Sequence, residues 1–139
     1  MIRTLTGLAL ASALILSACG ESAEEKAQTT VCSARADIKK QVDELKGLTA
    51  TTVSLDGVQA NLKAIRKNLE KIRGAQGDLK GDRKQQAKTA TEAFATQVKG
   101  VGKQLLGGLA ASEGKQQIQT ALDGLAAGYK SALGPIDCA

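Results

Sequence analysis

Three cysteines, at positions 19, 32 and 138, are the residues of this chain best suited to chemistry. A thiol can be acylated, bind a metal or pair with a second thiol. Three is an odd number, so one cysteine is left over if the other two pair. The chain has no histidine, the residue that most often serves as general base and metal ligand. The sequence therefore predicts a protein that is not an enzyme and has no cofactor.

The carboxylates do not form a recognisable site either. Asp43 and Glu44 are adjacent, so on a helix they point to different faces. The stretch GAQGDLKGD, residues 74–82, lacks the Gly-Lys-Ser/Thr ending of a phosphate-binding loop. Asp78 and Asp82 lack the alternating ligands and closing Glu of an EF-hand. This glycine-rich stretch is therefore predicted to be a turn, with no metal bound.

The first 18 residues, MIRTLTGLALASALILSA, have the plan of a secretory signal peptide. Arg3 supplies a positive start, and an apolar run of twelve residues follows from Leu5 to Leu16. A membrane-spanning helix needs about 20 residues, so this run is too short to span a bilayer stably. Residues 1–18 are therefore predicted to be a cleaved leader.

The end of this leader, Leu16-Ser17-Ala18-Cys19, resembles the lipobox of bacterial lipoproteins. The resemblance covers residues 1–20, and the rest of the chain is similar to small helical envelope lipoproteins only in general character. The lipobox resemblance implies that the Cys19 thiol receives a diacylglycerol and that cleavage before Cys19 makes this residue the new N-terminus. The protein would then be lipid-anchored to the cell membrane on its extracytoplasmic side. The alternatives are an ordinary signal peptide with a chance cysteine, or an uncleaved anchor.

Lipidation of Cys19 would leave Cys32 and Cys138 in an oxidising compartment, where disulfides form. The resemblance thus implies a Cys32–Cys138 bond, which would close a loop of about 107 residues. The alternative is two free thiols.

The remaining residues predict an all-α protein, a small antiparallel bundle of three to four helices. Its apolar residues are mostly Leu, Ile, Val and Ala, and it has one Phe and one Pro, a composition that favours helices over strands. Residues 19–30 lack periodicity and are predicted to be a flexible tether, with the helical domain over 31–139. A break near Ser112–Gly114 decides between three helices and four.

Apolar residues spaced three and four apart define the predicted inner face of each helix. These faces are Ala34, Ile38, Val42 and Leu45 in the first helix (about 31–48); Leu55, Val58, Leu62, Ile65, Leu69 and Ile72 in the second; Ala87, Ala90, Phe94, Val98, Val101 and Leu105 in the third; and Ile118, Leu122, Leu125, Tyr129 and Ala132 in the fourth.

The net charge of +5 suits contact with an anionic surface, and export makes nucleic acid an improbable partner. Basic residues cluster on the second helix, the turn and the start of the third helix, so a hairpin of these helices would have a positive tip. The predicted contact residues are Lys63, Arg66, Lys67, Lys71, Arg73, Lys80, Arg83, Lys84 and Lys88. Their partner would be an anionic envelope polymer, lipid headgroups or another envelope protein; the alternative is an ordinary solvated face.

The sequence thus predicts a structural or interaction role at the cell envelope. The alternative function is that of a carrier of a small ligand in a cleft between helices. A carrier would need a cavity among Leu62, Leu69, Phe94, Val98, Leu125 and Tyr129.

Overall fold

The described part of the chain forms four α-helices, which confirms the prediction of an all-α bundle of three to four helices. The structure, a computed structural model, describes residues 20, 22–48, 52–110 and 115–138, except for the side chains of residues 109, 110, 115 and 116. No strand occurs in these ranges. The helices are α1 (Ala23–Lys46), α2 (Leu55–Ala75), α3 (Gly81–Ala110) and α4 (Lys115–Ala132).

The first helix begins at Ala23, so the prediction of a flexible tether over 19–30 is wrong from that residue onward. Ser22 caps the helix: its side chain accepts a hydrogen bond from the Glu25 backbone N–H at 3.2 Å, and the Glu25 carboxylate accepts one from the Ser22 N–H at 2.8 Å. This reciprocal pair satisfies two backbone donors that would otherwise have no partner in the helix. Ala27 and Val31 then continue the buried face toward Ala34.

The second helix begins after Ser54, whose side chain accepts a hydrogen bond from the Gly57 N–H at 3.1 Å. Its predicted inner face is buried from Val58 to Ile72. Leu55 is the exception and is 48% exposed. It is the first residue of α2, so the side chain has no preceding turn of its own helix to cover it.

The predicted turn between the second and third helices is present. A short 3-10 helix, Gln76–Asp78, follows α2, and α3 starts at Gly81. Gly81 has a φ of +56°, a left-handed conformation that glycine adopts without steric cost. The predicted break near Ser112–Gly114 lies outside the described residues, between the end of α3 at Ala110 and the start of α4 at Lys115.

The four helices pack in a ring, with α1 against α2 and α4, and α3 against α2 and α4. The start of α1 lies beside the turn after α2, because the Lys80 ammonium and the Glu24 carboxylate are 3.8 Å apart. The tail after α4, residues 133–138, also returns to α1, since Cys32 is bonded to Cys138. Successive helices therefore run antiparallel. We call the end that holds Ser22, Lys80 and Cys138 the disulfide end.

The two aromatic residues of the bundle meet in its core. Phe94 of α3 is fully buried, and its ring lies edge to face with that of Tyr129, with centroids 6.0 Å apart. The Tyr129 hydroxyl donates a hydrogen bond to the Arg35 carbonyl at 3.2 Å. Tyr129 thus contributes an apolar ring to the core and ties α4 to α1 through its polar end.

Burial raises the pKa of the Tyr129 hydroxyl, although the positive charges of Arg35 and Lys39 oppose the effect. The neutral phenol is favoured in the folded state, so its contribution to stability is complete below the unfolded-state pKa of about 10 and is lost as pH rises through the folded-state pKa. Tyr129 is the sole tyrosine of the chain, so absorbance at alkaline pH reports on it alone. We expect a titration midpoint above that of the denatured chain; an equal or lower midpoint would contradict this burial.

Candidate functional site

The disulfide end fastens the C-terminal tail to the bundle. Cys32 in α1 and Cys138 are joined by the disulfide that the sequence predicts, with Cα atoms 5.5 Å apart. Leu133 and Ile136 of the tail are buried in the core. Three side chains donate hydrogen bonds to carbonyls of the tail: Gln28 to Asp137 at 2.5 Å, Arg35 to Gly134 at 2.9 Å and Gln86 to Pro135 at 3.0 Å. The tail is therefore an integral part of the fold.

All nine predicted contact residues are exposed, but the structure divides them among several surfaces. Arg66 and Arg73 border a groove of about 160 Å³ between α2 and α3, together with Ala95 and Val98. Lys71 borders a different groove, on the α1 side of α2, beside Lys26. The nine residues therefore do not form one patch.

The largest group lies on the side of the bundle formed by α2 and α3. On α2, Lys63 is three residues before Arg66, close to it on the helix surface. On α3, Ala95 faces the α2 groove and Gly102 approaches Leu62 and Arg66 of α2. Four lysines of α3 lie four or seven residues from one another or from Ala95, so they share its side of the helix. They are Lys84, Lys88, Lys99 and Lys103. We call this surface the basic face; its cations are Lys63, Arg66, Arg73, Lys84, Lys88, Lys99 and Lys103.

Lys99 and Lys103 are not among the nine residues that the sequence predicts, because they lie more than a dozen residues beyond the turn along α3. Both are exposed, and Lys99 is four residues from Ala95, so helical spacing from that groove residue would have identified it. The acidic members of the basic face are Glu70, Glu92 and Asp56, which lies two turns before Lys63 on α2. Residues 55–110 contain eleven Lys and Arg against five Asp and Glu, whereas α1 carries five of each. The positive charge of the domain is therefore concentrated on α2 and α3.

The turn at the disulfide end is less positive than the sequence alone indicated. Lys80 lies 3.8 Å from the Glu24 carboxylate. Arg83 borders a groove that also contains Glu24 and Glu25 of α1. The start of α1 thus places acidic side chains beside these two cations, so the side of the α2–α3 hairpin, and not its tip, carries the unbalanced positive charge.

The six residues proposed to line a ligand cavity lie in the core. Leu62, Phe94 and Leu125 are almost inaccessible to solvent, and the Tyr129 ring contacts Phe94. Leu69 and Val98 border the small groove between α2 and α3. Three other described grooves, of about 460–620 Å³, lie on the surface and include none of the six residues.

Asp43, one of the carboxylates considered in the sequence, pairs with a lysine of its own helix. Asp43 accepts a hydrogen bond from the Lys39 ammonium at 2.6 Å, and this bond raises the pKa of Lys39.

Within the described ranges, no three Cys, Asp or Glu side chains are grouped to bind a metal. No helix described there is both long and apolar enough to cross a bilayer. Cys19 lies outside the described residues.

Comparison with known proteins gives no further guide: no protein-family model, curated protein or solved structure matches the chain.

Proposed function

We propose that this protein is a lipoprotein whose helical bundle is held at the outer side of the cell membrane by a lipid on Cys19 and has an interaction role in the envelope. The observation that carries the proposal is the junction between leader and fold. The lipobox-like Leu16-Ser17-Ala18-Cys19 is followed, three residues after Cys19, by Ser22, the cap of the first helix. The apolar leader thus ends just before the folded domain begins.

The disulfide supports the same compartment. Disulfides persist in exported proteins and are rare in the reducing cytosol. The Cys32–Cys138 bond closes nearly the whole bundle, so its formation would stabilise the domain substantially after export. Among the described surfaces, the basic face offers the best basis for an interaction role, since its charge complements anionic lipid or anionic envelope polymer.

Fatty-acid labelling of cells that produce the full chain tests this proposal. We expect the parent protein to incorporate the label and to sediment with membranes. The Cys19→Ser variant should lose the label and keep its leader, because the acceptor thiol is absent. The Cys32→Ser/Cys138→Ser variant is the control, since it also lacks thiols but keeps Cys19. A parent protein without label, or equal labelling of the Cys19→Ser variant, would refute the lipid anchor.

A further inference from the structure

We propose that the bundle lies on its side, with the basic face against an anionic phospholipid bilayer and the Leu55 side chain inserted between the lipids. This inference rests on the proposed lipid anchor and adds the orientation of the domain and a second apolar contact. Three features of the molecule support it: the position of the anchored end, the distribution of charge and the place of Leu55.

The anchored end keeps the domain close to the bilayer. Only residues 20–22 separate Cys19 from α1, and an extended segment of that length spans about 10 Å. The contact between Glu24 and Lys80 places the start of α1 beside the start of α3. One end of the basic face therefore lies within reach of the headgroups whenever Cys19 is inserted.

The charges favour one side of the bundle over the others. The basic face has seven cations and three carboxylates, Asp56, Glu70 and Glu92. By contrast, the described groove between α3 and α4 is lined by Asp82 and by neutral side chains and contains no Lys or Arg. The basic residues of α1 are matched by an equal number of acidic ones. Attraction to anionic headgroups would thus turn the α2–α3 side toward the membrane.

Leu55 is the sole large hydrophobic residue exposed on the described surface, and it lies on the same strip of α2 as the arginines. Arg66 and Arg73 follow it by 11 and 18 residues, close to three and five turns, so the three share one side of the helix. Leu55 is also at the opposite end of α2 from the disulfide end, about 27 Å from Arg73 along the axis. The lipid and Leu55 would therefore hold the two ends of the basic face.

This apolar contact favours a bilayer over a wall polymer as the partner. An anionic polymer could bind the cations equally well, but it offers no hydrocarbon interior for an exposed leucine. Binding to a bilayer would cover Leu55 and gain from the hydrophobic effect in addition to charge attraction.

The test uses the Leu55→Trp variant as a reporter, because the chain has no other tryptophan. The chain from Cys19 onward contains all four helices and every described core residue. With Cys32 and Cys138 bonded, its one free thiol, on Cys19, can be coupled to a maleimide lipid in preformed vesicles. This coupling imposes the anchor, so the result does not depend on whether cells lipidate the protein, and the two proposals can fail separately.

We expect the tryptophan emission to shift to shorter wavelength, and to be quenched by brominated acyl chains, in vesicles that contain phosphatidylglycerol. Both effects should be absent in pure phosphatidylcholine and should be reversed by high salt. Adding Lys63→Glu, Arg66→Glu and Lys99→Glu to the reporter should abolish them. The matched control, Lys26→Glu, Lys40→Glu and Lys46→Glu on α1, changes the net charge equally and should preserve them.

Unchanged emission in anionic vesicles would overturn the proposal, as would equal loss in the two triple variants. Binding to soluble polyphosphate without any effect of vesicles on the emission would also overturn it and would identify an anionic polymer as the partner. Circular dichroism of each variant establishes that the bundle is folded before the emission is compared.

Discussion

Replacing both Cys32 and Cys138 with serine is expected to lower the free energy of unfolding by about 4–5 kcal/mol, the value for a closed loop of roughly 100 residues. The bond reduces the number of conformations open to the unfolded chain. The stability lost with the bond therefore rises with the length of the loop that it closes. Here the bond joins residues 106 apart in sequence, so nearly the whole bundle lies within the loop. Since small domains are typically stable by about 5–15 kcal/mol, this loss would leave the fold marginal.

Urea unfolding followed by circular dichroism measures this loss, and the chain supplies its own control. Cys19→Ser also removes a thiol but leaves the bond between α1 and the tail intact, so its unfolding midpoint should match that of the parent. Adding a reductant to the parent should reproduce the effect of the double serine variant. A double variant within about 1 kcal/mol of the parent would mean that the hydrogen bonds to the tail suffice without the disulfide.

Phe94→Ala is expected to destabilise the bundle by about 3–5 kcal/mol. Phe94 is fully buried, so its truncation would leave a cavity in the core. The truncation also removes the edge-to-face contact with Tyr129. Because Tyr129 connects α4 to α1 through Arg35, the cavity would adjoin a contact that joins three helices.

Thermal or urea unfolding of a small series of variants checks this prediction. Phe94→Leu retains much of the buried volume and should cost less than the alanine variant. Gln104→Ala, at an exposed position of the same helix, should change the stability by about 0.5 kcal/mol at most. If Phe94→Ala were no more destabilising than Gln104→Ala, Phe94 would not lie in the core.

The helices were predictable because their inner faces follow a regular spacing. The apolar residues from Val58 to Ile72 in α2 alternate steps of four and three residues. Those from Ala87 to Leu105 in α3 are also three or four residues apart, and the structure buries most of these positions. The start of α1 is not apparent from periodicity, because its first turns are largely polar and their apolar residues are small. The Ser22 and Glu25 pair, with the Ser-x-x-Glu spacing of a capping box, was the local signal for that start.

The basic face was only partly predictable. The sequence identified Arg66 and Arg73 as basic but did not reveal that they share a side of the bundle with Lys99, since that depends on which helix each strip faces. It also placed Lys80 and Arg83 at a positive tip, whereas the fold brings Glu24 and Glu25 of α1 beside them. The packing of α1 against the turn brings together charges that are distant in sequence. Helical periodicity alone does not determine that packing.

The most direct test of a lipid-anchored, disulfide-closed bundle is the intact mass of the full-length protein extracted from membranes, recorded before and after reduction and alkylation. We predict a chain that begins at Cys19 and carries a lipid adduct, with two thiols that alkylate only after reduction. A chain that retains residues 1–18 or lacks the lipid would contradict the anchor. Two thiols that alkylate without reduction would contradict the disulfide.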